Sequence, residues 1–194
     1  YTMEDYNKAY SNLKQAYKLH TDNEAVISYL INTYNAIGLY NSAITLAQGR
    51  LLADQGNPHH YRKMAIAYFL KNDLPKALEN AQKAVKIDDK YAPNHLTLAN
   101  VYLSLGEEMQ ALNHFNAALD LVRSNSVYEG LSVTYALLGD TEDAENNAIS
   151  AASYPSHSFS LSLLGFALFN IKEYDKAIGE FNKEFNYDLA RIIM

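Results

Sequence analysis

Residues 92–124 read APNHLTLANVYLSLGEEMQALNHFNAALDLVRS. Leu98, Ala99 and Tyr102 open the stretch, Gly106 interrupts it, and Ala111, Phe115 and Ala118 follow at steps of four and three. Residues at i, i+3, i+4 and i+7 share one face at 3.6 residues per turn. The stretch therefore predicts two helices of roughly 13–14 residues joined by a short turn. Ala at the crossing points lets two backbones approach, and the larger Tyr and Phe beside it fill the remaining groove.

The pattern extends in both directions from this stretch. Ala9, Ala43, Ala77 and Ala111 stand 34 residues apart, and Ala144 and Ala177 continue at steps of 33. Upstream of these anchors lie Leu30–Ile31 with Tyr34, Met64–Ala65 with Tyr68, Leu98–Ala99 with Tyr102, Leu131–Ser132 with Tyr135, and Leu164–Gly165 with Leu168. Between each pair and its anchor sits a turn signal: Gly38, Asn72–Asp73, Gly106, Gly139–Asp140 and Lys172–Glu173. A period of this length marks a stacked helical array. The expected units are 24–57, 58–91, 92–124, 125–157 and 158–187. Residues 1–21 form a second helix lacking its first, and 188–194 form a cap or the start of a further helix. No linker rich in Pro, Gly or Ser interrupts the array, so 1–194 is expected to be a single one. In the unit 24–57, Ile31 and Arg50 take places that are small elsewhere, which predicts looser packing there. Nine of the 16 Tyr fall at framework places, which turns the search for a binding face toward Asn and Phe.

The spacing of His95, Leu98, Ala99, Tyr102, Ala111, Phe115 and Ala118 resembles the tetratricopeptide repeat (TPR). The resemblance covers essentially the whole chain and implies an all-α, right-handed superhelical solenoid of helix–turn–helix units. It also implies a concave face lined by first helices, at the second, fifth, ninth and twelfth places of each unit. Carried onto this chain, the peptide-binding positions are Asn32, Asn35, His59, Arg62, Ile66, Phe69, Asn100, Leu103, Glu129, Val133, Phe166 and Phe169. An Asn amide both donates and accepts, so Asn32 and Asn100 suit the backbone of an extended ligand. Phe166 and Phe169 fall off the framework places and form an apolar patch for a partner, for Ile192–Met194, or for a second copy of the chain. Some members of the family hold a C-terminal carboxylate with Lys, Asn, Asn, Lys and Arg. Asn32, Arg62 and Asn100 are the nearest matches here; the lysines are missing, and Lys63 alone is adjacent. The run Ala136–Glu145 is similar to bacterial TPR proteins of pilus and secretion assembly, including Tad-type lipoproteins, which implies an envelope accessory role. A third reading is a regulatory arm of a larger protein.

Composition narrows the chemistry. The chain has 194 residues, 48% of them hydrophobic, a net charge of −6, and no Cys. The missing Cys removes disulfides, Fe–S clusters and thiol nucleophiles. The acidic balance argues against nucleic acid as a partner, which demands a basic footprint. No stretch reaches the ~18–20 apolar residues of a membrane span. No Gly-rich phosphate loop, Gly-x-Ser-x-Gly or His-Glu-x-x-His is present, so no enzyme, cofactor or metal is expected, and the partner is a protein or peptide. Tyr1 rather than Met opens the chain, so a preceding segment is expected, and with it either a cytoplasmic or a periplasmic, outer-membrane-anchored location. Charge is uneven: residues 58–91 carry seven Lys/Arg against four acids, whereas 124–170 hold five acids and no Lys or Arg.

Overall fold

The turn signals act by one shared mechanism. In the computed structural model, Gly38, Asn72, Gly106, Gly139 and Lys172 all take left-handed backbone, with φ between 65° and 86°. After each, the next amide reaches back to the framework residue of the first helix: Leu39 N–H to the Tyr34 carbonyl, Asp73 to Tyr68, Glu107 to Tyr102, Asp140 to Tyr135, and Glu173 to Leu168, at 2.8–3.0 Å. This is the bond that closes a helix C-terminus around a left-handed residue. It explains why Gly recurs at the turn, and why Asn, which tolerates that conformation, substitutes at position 72.

The structure describes residues 3–54, 56–154, 165, 168, 169, 172, 173 and 175–179. Among the described residues the secondary structure is helical throughout, and the chain divides into two compact units, Tyr1–Asp89 and Lys90–Met194. The first holds α1 (Met3–Leu19), α2 (Glu24–Ala36), α3 (Tyr40–Ala53), α4 (Pro58–Leu70) and α5 (Leu74–Ile87). The second holds α6 (Ala92–Leu105), α7 (Glu108–Leu121), α8 (Asn125–Leu138) and α9 (Thr141–Ala152). Helix starts carry their own chemistry. Asn23, Asn57, Asp73 and Asp140 accept the first free amides of α2, α4, α5 and α9, while Pro opens α4, α5 and α6.

In the first unit, Ile27, Ile31, Ala43, Ile44, Ala47, Met64 and Ala67 form a core flanked by Tyr17, Tyr34 and Tyr68. In the second, Ala99, Ala111, Phe115, Ala118, Val127 and Leu131 form one core, and Ala136, Ala144, Ala148, Leu168 and Ala177 form another. The anchor alanines Ala43, Ala77, Ala111, Ala144 and Ala177 are all buried. Gly130 marks the closest approach: a Cβ there would run into the fully buried ring of Phe115.

The α2–α3 pair is the exception. It packs less closely than α4–α5, α6–α7 or α8–α9. Ile31 stands where the later units have Ala65, Ala99 and Ser132, and Arg50 where they have Ala84, Ala118 and Ala151. Ile31 is fully buried, and the Arg50 guanidinium turns outward to pair with Glu24. Beside them a groove of about 610 Å³ opens, lined by Tyr17, Leu30, Tyr34, Ser42, Thr45, Leu46, Gly49 and Arg50. The looser packing expected from the two large residues is present.

Candidate functional site

The first helices supply the expected ligand positions, and the structure divides these into three sorts. Asn32 on α2 and Asn100 on α6 are exposed. Arg62, Ile66 and Phe69 on α4, Leu103 on α6, and Glu129 and Val133 on α8 are half-buried. Asn35 is buried, and its Oδ1 has no hydrogen-bond partner. Leu103 and Val133 lean on the cores of the second unit, and Glu129 accepts a hydrogen bond from Asn125 Nδ2 at 3.2 Å. Phe169 is 55% exposed. Phe166 and the segment Ile192–Met194 lie outside the described residues.

In the first unit the α2–α4 face is cationic. His59 is exposed, and its Nδ1 accepts from the Arg62 guanidinium at 3.4 Å. Partial desolvation of the ring, and then the neighbouring Arg62 and Lys63, lower the His59 pKa from its ordinary value. The periodicity did not single out Lys63 as a ligand position, yet its Nζ donates to Asn32 Oδ1 at 2.5 Å. The signal was available: the ninth place of one unit and the sixth of the next are 31 residues apart in this fold. Burial, with Arg62 adding like charge, pushes the Lys63 pKa down to about 8.

The second unit brings together two histidines 19 residues apart in sequence. His95 Nδ1 and His114 Nδ1 meet at 3.0 Å between α6 and α7. Their ring centroids are 5.2 Å apart, so the facing nitrogens point at each other and one proton lies between them. An N–H of one ring aimed at the facing lone pair of the other forms a hydrogen bond; two ligands of one metal would converge on a point off that line. Tyr102 stacks on His114 at 5.7 Å with planes 6° apart. Burial, and then His95, lower the His114 pKa. The pair thus replaces the large aromatic packing of other units with a polar equivalent. No group of three or more metal-ligating side chains occurs among the described residues, and none of the described helices is long and apolar enough to cross a membrane.

Two profiles of the tetratricopeptide repeat match the chain, one over residues 1–66 and one over 54–125. The chain belongs to the tetratricopeptide repeat family. Mouse DnaJ homolog subfamily C member 7 is 30% identical over 95 residues, which is 49% of this chain and 19% of that protein. The chain therefore spans about a fifth of the length of such curated relatives. Among solved structures, the TPR protein TTC0263 of Thermus thermophilus superposes with a TM-score of 0.75 at 23% identity, covering 84% of this chain and 91% of that one. The APC/C hetero-tetramer Cut9–Hcn1 gives a TM-score of 0.73 at 17% identity, over 93% of this chain and 35% of that one. At such identities the structures establish the fold. Tetratricopeptide repeats are protein-interaction scaffolds as a class, and this chain is one of them.

Proposed function

We propose that the chain is a non-catalytic interaction module whose first-helix faces hold an extended peptide or a helix of a partner protein. In the first unit Asn32 grips the partner backbone with Ile66 and Phe69 giving apolar contact, and in the second unit Asn100 and Phe169 offer the same two kinds of contact. One observation carries this reading: at the equivalent ninth place of two units, an Asn remains exposed on a first helix while its helix packs on the opposite side. An amide can donate and accept along a peptide, and Asn32, whose Oδ1 already accepts from Lys63, has its Nδ2 donor to offer. Twelve-residue random peptides, displayed and selected on the protein, test it. Asn32→Ala with Asn100→Ala is expected to weaken the selected peptides about tenfold, from two hydrogen bonds of ~0.5–1.5 kcal/mol each. Unchanged affinity in the double variant defeats the reading.

The length of the matched relatives favours a second reading, an interaction arm of a larger protein. The pilus-assembly reading has less to stand on. Within Ala136–Glu145, Gly139 supplies the left-handed turn, Asp140 caps α9, and Ala136 and Ala144 are core. Repeat architecture accounts for these residues without any pathway.

A further inference from the structure

Gly49 is not explained by helix packing. It lies inside α3, where Gly is less favourable than Ala, and a Cβ there would have no neighbour within 4 Å. Its place is held by Lys83 in α5, Ala117 in α7 and Ser150 in α9, so the repeat accepts a side chain at this point. What the missing side chain leaves is room. Thr45 and Gly49 line two grooves at once: the one of about 610 Å³ against α1 and α2, and a second of about 630 Å³ against Tyr61 of α4. Thr45, Gly49 and Leu52 share the outer stripe of α3, and Leu52 is 82% exposed.

The grooves are apolar and aromatic, with Tyr17, Leu30, Tyr34 and Leu46 in the first and Leu51 and Tyr61 in the second. Their charge is one-sided. At one end of the first groove, Arg50 is paired with Glu24. At the other end, Lys71 Nζ donates to the lining residue Asn41 at 2.9 Å. Tyr34 lies at that same end, since its carbonyl accepts from Leu39 N–H. The Tyr34 ring packs 5.7 Å from that of Tyr10, whose hydroxyl accepts from Lys14 Nζ at 3.2 Å. Neither lysine is ion-paired among the described residues, and Asp73, which senses Lys71, is held by Lys76 at 3.0 Å. Two ammoniums without a carboxylate therefore border the Asn41 end.

We propose that the outer face of α3 docks an amphipathic helix of a partner protein, apolar toward Gly49 and acidic at the end that meets Lys14 and Lys71. It uses none of the first-helix ligand positions proposed above. The cations call for an acidic partner, and the walls call for a helical one. The walls are helices whose backbone groups are bonded internally, so an extended segment would leave its own N–H and C=O groups unmet; a helix arrives with them satisfied. From Asn41 to Arg50 the first groove runs about 14 Å, or about two and a half helical turns. Apolar residues at i, i+3, i+4 and i+7 of the partner enter the grooves, and its backbone comes close where α3 has no Cβ.

Gly49→Leu tests the site without touching the core. Its side chain enters open space and Leu favours a helix more than Gly does, so the urea midpoint should be unchanged or raised. Peptides with apolar residues fixed at i, i+3, i+4 and i+7, and random residues elsewhere, are displayed and selected on the wild type. Asp and Glu are expected to be enriched at one end of them. A selected peptide, followed by fluorescence anisotropy, is expected to bind Gly49→Leu roughly tenfold or more weakly, because the new side chain occupies the groove. Lys14→Glu with Lys71→Glu is expected to weaken it roughly three- to tenfold, and a peptide with Lys in place of its acidic residues to recover the loss. Asn32→Ala with Asn100→Ala is expected to leave the affinity unchanged. An empty selection, peptides without an acidic end, or an affinity indifferent to Gly49→Leu or to the two lysines overturns the proposal. Peptides that depend on Asn32 and Asn100 but not on Gly49 overturn it and leave the first-helix reading standing. Sedimentation velocity of the protein alone and flotation with phosphatidylglycerol vesicles test other occupants. A dimer or a vesicle complex that Gly49→Leu abolishes assigns the face to a second copy or to a membrane, and overturns the partner helix. The exchange of charges decides even if Gly49→Leu does not fold.

Discussion

The α2–α3 pair of the first unit and the α6–α7 pair of the second follow one template with different residues at two places. Around α6–α7, Ala99 and Ala118 sit at the crossings, and Phe115 lies in van der Waals contact with the bare backbone of Gly130 on α8. At α2–α3, Ile31 and Arg50 take those places, the helices pack less closely, and a groove of about 610 Å³ lies alongside. Stability in such arrays comes from these local interfaces. Two substitutions at the crossing places therefore separate a closed helix pair from an open one, without altering the turn or the period.

The comparison breaks first at its tightest point. Phe115→Ala is expected to cost ~3–5 kcal/mol, since the ring is fully buried and its neighbours are held by two helices. Gly130→Ala forces the same ring aside and is expected to cost ~1–3 kcal/mol. Urea unfolding followed by circular dichroism measures both, and Phe115→Leu should recover part of the Gly130→Ala loss if the contact is the cause.

Exchanging the crossing residues sharpens it next. Ala99→Ile is expected to destabilise by ~1–3 kcal/mol through overpacking. Ile31→Ala with Arg50→Ala lets α2 and α3 close, so its cost should lie near the lower end of the ~2–5 kcal/mol usual for removing a buried Ile side chain. The exposed side of the Arg50–Glu24 pair limits that ion pair to about 1 kcal/mol or less. Equal losses from the two exchanges would show that the crossings are not what distinguishes the pairs.

The last test is in pH. His114 and Lys63 both titrate below their ordinary values, so in each window the unfolded chain binds more protons and stability rises with pH. For His114 the penalty develops as pH falls below 6.5; for Lys63 it is complete below about 8 and is relieved between there and 10.5. Urea midpoints of His114→Gln should flatten the acid limb, and those of Lys63→Met the alkaline limb. A variant that tracks wild type across its window removes that group from the account.

The period, the helix pairs and the turns were legible in the chain because each is local. Gly106 and Asn72 specify left-handed turns from their own backbone, Asp73 and Asp140 cap the helix that follows them, and Ala anchors recur at helical spacing. Ile31 and Arg50 even announced the open pair. The exposure of Asn32 and Asn100 followed from their place in the unit; the burial of Asn35, three residues from Asn32, did not. Tertiary packing decided the rest: Lys63 under Asn32, His95 against His114, and Phe115 against Gly130. Each pair joins residues on different helices, 15–31 positions apart in sequence. Their burial and charge depend on how closely the neighbouring helix approaches and how it is rotated, quantities set by the whole interface and by no single stretch of sequence.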